Sequence, residues 1–192
     1  MIHRDAITLG ILAGGRGQRL GGRDKAWVRH RSATLVENIL MAFPGAFGER
    51  LVSARADDPR YAALGLRVVL DRRKDFAGPL AGIEALASAC GTPWLMTVPV
   101  DLDRLPEGIA DDLASSADGD GVVVTDAAGL QPLLGLWRTA ALREHAGAML
   151  DAGESAARRL VARLRVSRLD LAPRRLDNLN TPHDFPDRKS VV

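Results

Sequence analysis

The sequence predicts a doubly wound α/β fold, a mostly parallel sheet with helices on both faces. Three observations carry that expectation. Short apolar runs alternate with stretches of helical spacing along the chain. The runs are continuously apolar rather than alternating, as in strands covered on both faces. A glycine-rich segment after Leu12, Asp71 and Asp101 each follow such a run, at the carboxyl ends where open α/β sheets bind ligands.

The elements follow in order. Ile7–Leu12 (ITLGIL) is the first strand and opens into the glycine-rich segment. Thr34–Phe43 has helical spacing, with Leu35, Ile39 and Leu40 on one side. Arg50–Ala54 and Arg67–Leu70 read as strands, the second ending at Asp71. Pro79–Cys90 is helical: Pro79 sits in the first turn, where a missing N–H costs nothing, and Ile83, Leu86 and Ala87 repeat at i, i+3, i+4. Trp94–Val98 is a buried-type strand, Pro99–Pro106 a loop, Ile109–Ser115 a helix and Gly121–Thr125 a strand. Pro132–Trp137 gives a further strand, Thr139–Leu150 and Ser155–Leu164 two helices, and Leu164–Leu169 a strand that closes the sheet.

The chain has 192 residues, 46% hydrophobic and 26% charged, with net charge +2, which excludes an intrinsically disordered chain. Its length fits one domain, taken as residues 1–185, with a nucleotide-binding N-terminal half, an acceptor-binding C-terminal half and a polar tail at 186–192. One cysteine, Cys90, excludes an internal disulfide. Met1–Thr8 lacks a signal-peptide run and no stretch of 18 apolar residues occurs, so the expectation is a cytoplasmic protein without a membrane partner. Two basic clusters point to anionic ligands: seven basic against two acidic residues in Met1–Arg31, and seven Arg against one Asp in Arg158–Arg175. The second reads equally well as a solvated face. With 4% aromatics and no nucleic-acid motif, nucleic acid is not the expected partner.

The most informative segment is LAGGRGQRLGGRDK, Leu12 to Lys25, with five glycines, three arginines and a lysine. Glycines let backbone N–H groups close on a phosphate chain, and Arg and Lys neutralise its charge. It is neither a P-loop, because the GK[ST] ending is missing, nor a dinucleotide fingerprint, because Leu20 holds the third glycine position. Asp101-Leu102-Asp103 also spells the DxD pattern of metal-dependent glycosyltransferases.

The loop, written LAGGxxxRLGGxDK, resembles the signature of nucleotidyltransferases that act on molybdenum cofactor, the molybdenum cofactor guanylyltransferase family. The resemblance continues through Asp71 and Gly78-Pro79-Leu80-Ala81-Gly82-Ile83, Val98-Pro99-Val100-Asp101-Leu102, Pro132-Leu133 with Leu136-Trp137, and Asn178-Leu179-Asn180-Thr181-Pro182-His183-Asp184. It implies a Rossmann-like nucleotidyltransferase fold and transfer of GMP from GTP to the phosphate of molybdopterin, with Mg²⁺ as cofactor and pyrophosphate as product. It also implies contact with other molybdenum cofactor proteins. By the same resemblance, the backbone of Leu12, Ala13 and Gly14 meets the base, while Gly15, Arg19 and Lys25 face the phosphates. Asp71 binds the nucleoside, Asp101 holds Mg²⁺ and nucleotide, and Gly78 to Gly82, with Pro79, shape the base pocket. Asn178 and Asn180 lie toward the acceptor, with part of the Arg158–Arg175 cluster attracting its phosphate. Lys25, Asp101 and Arg19 are thereby the catalytic candidates.

The chain departs from the family pattern at several positions. Ser53 stands where the family has an asparagine near the end of the second strand, so one nucleotide contact is weaker. Asp103 replaces a proline and Gln131 a histidine, and Arg29–Thr34 lacks a Gly-x-Pro turn. Two alternatives therefore stand beside the guanylyl reading: a cytidylyl or sugar-phosphate nucleotidyltransferase of the same fold, and a nucleotide-binding module without turnover.

Overall fold

The computed structural model describes residues 2–14, 24–71, 73, 78–180 and 184. Their centre is a seven-stranded sheet. Its strands are β1 (Ile7–Leu12), β2 (Glu49–Ala54), β3 (Arg67–Leu70), β4 (Trp94–Pro99), β5 (Gly121–Asp126), β6 (Gly129–Arg138) and β7 (Val166–Asp170). The spatial order is β7-β5-β6-β4-β1-β2-β3. β6 runs antiparallel to both its neighbours and every other pairing is parallel. The helices are α1 (Leu35–Ala42), α2 (Pro59–Ala63), α3 (Pro79–Ala89), α4 (Ile109–Ser116), α5 (Thr139–Asp151) and α6 (Ala157–Arg163).

Side chains alternate across the sheet and build a separate core on each face. Ile7, Leu9 and Ile11 of β1 pack with Leu35, Val36 and Ile39 of α1, with Tyr61 of α2 and with Ile109 and Leu113 of α4. On the opposite face Leu51 and Leu95 pack with Leu80, Ile83 and Leu86 of α3, Leu142 and Met149 of α5 and Leu160 of α6. Gly10 of β1 faces this second layer, where a Cβ would lie 2.9 Å from Leu95 and 3.1 Å from Leu86, so its lack of a side chain lets α3 lie close on the sheet. Trp137 is core, its Nε1 donating to Thr97 Oγ1 at 2.8 Å.

Most elements match their sequence reading within a residue or two. α1 begins where Thr34 and Glu37 form a reciprocal capping box. Three differences have physical causes. The strand read as Pro132–Trp137 extends to Gly129–Arg138, because Asp126 accepts from Ala128 N–H at 2.8 Å and shapes the turn that joins β5 to β6. Within the stretch read as a loop, Leu102–Asp103 pairs antiparallel with Asp177–Asn178. The five-residue α2 is too short to show a period, and starts with Asp58 as N-cap and Pro59 in its first turn.

The segment after β7 returns across the sheet. Buried Asp126 anchors it, accepting from Leu176 N–H at 2.7 Å and from Gln131 Nε2 at 2.9 Å. Burial pushes the Asp126 carboxyl up, but the N–H groups of Leu176 and Ala128 and the Gln131 amide outweigh it and hold the carboxyl below its ordinary value. A depressed folded pKa contributes stability that is present above the unfolded value, about pH 4, and is lost as pH falls through the folded value. Asp126→Asn should therefore lower Tm at neutral pH, with the gap to wild type closing as pH falls below about 4. A melting series from pH 3 to 8 checks this. A gap that is constant over that range would show that the charge is immaterial.

Candidate functional site

β2 and β3 lie to one side of β1, and β4 to the other, so the chain reverses its direction of growth between β1 and β4. The crevice outside the carboxyl ends of these two strands is the ligand position of open α/β sheets. β1 ends at Leu12 and β4 at Pro99, and Val100 N–H donates to Leu12 O at 3.1 Å, holding the two exits side by side.

Lys25 and Asp101 meet there. Lys25 Nζ donates to Asp101 Oδ2 at 2.7 Å and to Asn180 Oδ1 at 2.8 Å. The side chains of Lys25 and Asp101 are 18% and 22% exposed, sheltered enough to strengthen the pair and open enough for a ligand to reach it. Asn180 is brought in by the returning segment, where Leu179 N–H donates to Asp101 O at 2.9 Å. Three residues far apart in sequence thus converge on one ammonium group. Asn178, an exposed residue of the Asp177–Asn178 pairing, is not part of that triangle.

A second cluster lies at the β2 exit. Ser53 is fully buried and its Oγ donates to Asp71 Oδ1 at 3.0 Å. Burial pushes the Asp71 carboxyl above its ordinary range, the Ser53 hydroxyl offsets part of this, and the charge of Glu84 adds to the rise. A half-buried carboxyl in that state has room to gain from further hydrogen-bond donors. Gly14 stands beside the cluster, the position of a Cβ there falling 3.5 Å from Asp71 Oδ2 and 3.5 Å from Ser53 Oγ. The Ala13 N–H is taken by Ser53 O at 2.9 Å, while the Leu12 carbonyl accepts Val100 N–H on one of its two lone pairs and keeps the other for a ligand donor. Gly15 and Arg19 lie outside the described residues.

α3 starts at Pro79, with Gly78 before it at φ 71°, a left-handed backbone that favours glycine. Gly82 lets this helix close on the strand ends. A Cβ on it would lie 2.9 Å from Ser53 Oγ and 3.0 Å from Leu12 Cδ2. Gly82→Ala is expected to cost about 1–3 kcal/mol of stability by overpacking and to disturb the Ser53–Asp71 bond. Denaturant unfolding measures the first, and an unchanged midpoint would show that Leu12 and Ser53 move aside freely.

Asp103 has partners of its own, different from those of Asp101. It binds Arg31 at 2.9 Å, with His30 Nε2 at 3.7 Å and Arg104 Nε at 3.5 Å, and so ties the Arg29–Thr34 segment to the site floor. The second carboxylate of the DxD pattern is thus held by arginines of the chain itself. Among the described residues no group of three or more His, Cys, Asp or Glu could hold a metal ion. The second basic cluster is largely paired with nearby acids: Arg159 and Arg163 with Glu154, Arg165 with Asp120, and Arg175 with Asp177. No helix among the described residues is long and apolar enough to cross a membrane.

Sequence reasoning missed Asp24 and Tyr61, which hold the Lys25 turn, and Arg73. Arg73 bridges Glu84 of α3 at 2.6 Å and Asp151 of α5 at 2.6 Å, pinning the chain just after Asp71. No local pattern announces contacts across such separations.

Comparison with known proteins agrees with this architecture. The model of the MobA-like NTP transferase domain matches residues 9–169. A molybdenum cofactor guanylyltransferase of Cupriavidus taiwanensis is 36% identical over 132 residues, covering 69% of this chain and 66% of that protein. One from Cupriavidus metallidurans is 41% identical over 118 residues, 62% of this chain and 58% of that protein. The matched region thus spans about two thirds or less of these relatives. Molybdopterin-guanine dinucleotide biosynthesis protein A from Archaeoglobus fulgidus superposes with a TM-score of 0.69 at 20% identity, covering 92% of this chain and 94% of that chain. The 2-C-methyl-D-erythritol 4-phosphate cytidylyltransferase of Thermus thermophilus superposes with a TM-score of 0.65 at 18% identity, covering 91% and 93%. At these identities the two structures show the common fold alone.

Proposed function

The chain belongs to the MobA-like NTP transferase family, and from that membership we propose that it transfers GMP from GTP to molybdopterin, releasing pyrophosphate. The observation that carries the reading is the convergence of Lys25, Asp101 and Asn180 at the reversal between β1 and β4. A cation and a carboxylate there, directly after a glycine- and arginine-rich segment, suit a triphosphate better than an uncharged ligand. The curated relatives named molybdenum cofactor guanylyltransferase support the choice of nucleotide and acceptor.

The acceptor phosphate is already an anion, so it attacks the α-phosphorus without a strong general base, and the bond to the β-phosphate breaks. Rate enhancement then comes from positioning and charge stabilisation. Lys25 holds the triphosphate and balances charge that grows on the leaving pyrophosphate. Arg19 and Gly15 are proposed to share that work. Asp71, braced by Ser53, receives the nucleoside, against the wall formed by Gly14, Pro79 and Gly82. Asn180 orients Lys25, and together with Asn178 it lies toward the acceptor side.

The donors fit Mg²⁺, which needs only one or two carboxylates when phosphate oxygens complete its shell. Asp101 offers such a carboxylate, and Mg²⁺ held there would supply neutralisation of phosphate charge. The reaction belongs in the cytoplasm, where GTP is supplied.

GTP is expected to bind about 10- to 100-fold tighter than CTP, because a site that pairs particular base edges leaves polar groups unmatched with the wrong base. Ser53, committed to Asp71, offers the base less than an amide would, which keeps the ratio modest. Competition among GTP, CTP and ATP with Mg²⁺ present reads the ratio. Equal or tighter binding of CTP would move the chain to a cytidylyl activity. Pyrophosphate release from GTP with and without molybdopterin tests the transfer itself; nucleotide binding without any release would mark a binding module.

A further inference from the structure

The turn that carries Lys25 is braced from α2, a helix that contributes none of the proposed ligand contacts. We infer that Tyr61 is a positioning residue for Lys25, acting through the Asp24 carboxylate that lies between them. The inference rests on the reading of Lys25 as the phosphate-binding cation.

Asp24 uses both carboxylate oxygens. Oδ1 accepts from Ala26 N–H at 3.0 Å, capping the three-residue turn Lys25–Trp27. Oδ2 accepts from the Tyr61 hydroxyl at 2.8 Å. Two backbone bonds complete the turn, from Trp27 N–H to Asp24 O at 3.2 Å and from Val28 N–H to Lys25 O at 3.1 Å. So short a 3₁₀ turn has little stability of its own, and its register depends on what holds its ends.

Tyr61 is a rigid place to tie it. The ring is fully buried in the core under α1 and β1. The Trp27 ring lies 4.8 Å away at 46°, and the Arg60 guanidinium covers Trp27 at 4.2 Å. Both ends of the turn, Asp24 and Trp27, therefore rest on α2. Burial, with the Asp24 charge beside it, pushes the Tyr61 phenol upward, so it keeps its proton and remains a donor. With the turn fixed, the Lys25 side chain starts from a set point and its ammonium reaches Asp101 and Asn180 together. Without the hydroxyl, Asp24 keeps only its bond from Ala26 N–H and the turn is held less firmly, while the aromatic packing persists.

Tyr61→Phe removes only that hydroxyl, and two measurements test it. The first needs no nucleotide: competitive acetylation with acetic anhydride, with Lys74 and Lys189, the chain's other lysines, as internal references. Loosening the Lys25 pairing should raise its relative labelling about 5- to 10-fold in Tyr61→Phe, and an unchanged ratio would overturn the inference. The second is a double-mutant cycle on MgGTP affinity by calorimetry. Tyr61→Phe should weaken binding about 5- to 10-fold in the wild-type background and not further in Lys25→Ala. Equal losses in both backgrounds would mean a general structural role and would also overturn it. Increased Lys25 labelling in a protein that binds no GTP would sink the guanylyl reading and leave the brace standing.

Discussion

Asp101→Asn is expected to lower turnover about 100- to 1,000-fold while the chain stays folded. The side chain keeps its size and its place after β4, and its backbone bond with Leu179 is untouched. What disappears is the negative charge at the point where Lys25 and the proposed Mg²⁺ meet. The scale is that of removing one preorganised electrostatic contact from a transition state. Stability should move by about 1 kcal/mol or less, because the Lys25–Asp101 pair is partly solvated and Lys25 keeps Asn180 as an acceptor. Two measurements separate the effects: steady-state pyrophosphate release, and urea unfolding. Turnover within a few-fold of wild type would remove Asp101 from the metal role. A large loss of both activity and stability would make it a structural residue. Mn²⁺ titration monitored by paramagnetic resonance in the presence of GTP adds a binding readout, in which the variant should hold the ion more weakly.

The sheet was legible because its strands are continuous apolar runs and its helices carry clear periodicity. The order of strands was not, since nothing in Gly129–Arg138 says that it runs against its neighbours. At the site, legibility followed the chain. Leu12 ends a strand, and Asp71 and Asp101 follow one within two residues, so local pattern located them. Asn180 came only through resemblance, and the sequence put it with the acceptor. Its place on Lys25 depends on the returning segment and on Asp126, a contact over 50 residues of chain. Ser53 looked like a weakened ligand contact. The structure gives it a different partner, Asp71, whose carboxyl it steadies from a fully buried position. Asp103 stood out only as part of a DxD spelling, and the structure makes it the counter-ion of Arg31. In each case the residue type was informative and the partner was not, because partners are chosen by packing across the sheet.

Lys25→Ala should weaken GTP binding about 10- to 100-fold, the usual scale for a charge-assisted contact of about 1.5–3 kcal/mol. The ammonium has two acceptors in the structure, Asp101 at 2.7 Å and Asn180 at 2.8 Å, and a triphosphate would compete for it with both. Part of its interaction with phosphate is therefore offset by contacts given up on binding, which argues for the lower half of that range in affinity. Charge that develops on the leaving group appears only in the transition state, so the loss in kcat should exceed the loss in affinity. Lys25→Arg is the informative companion. A guanidinium keeps the charge but is planar and larger, and the space between Asp101 and Asn180 is fitted to a point donor. Affinity for GTP should then largely persist while kcat stays low. The check is calorimetric titration of GTP with Mg²⁺ on both variants, together with single-turnover rates. Unchanged GTP affinity in Lys25→Ala would make Lys25 a structural partner of Asp101 and Asn180. The phosphate site would then have to be sought among the remaining basic residues that follow β1.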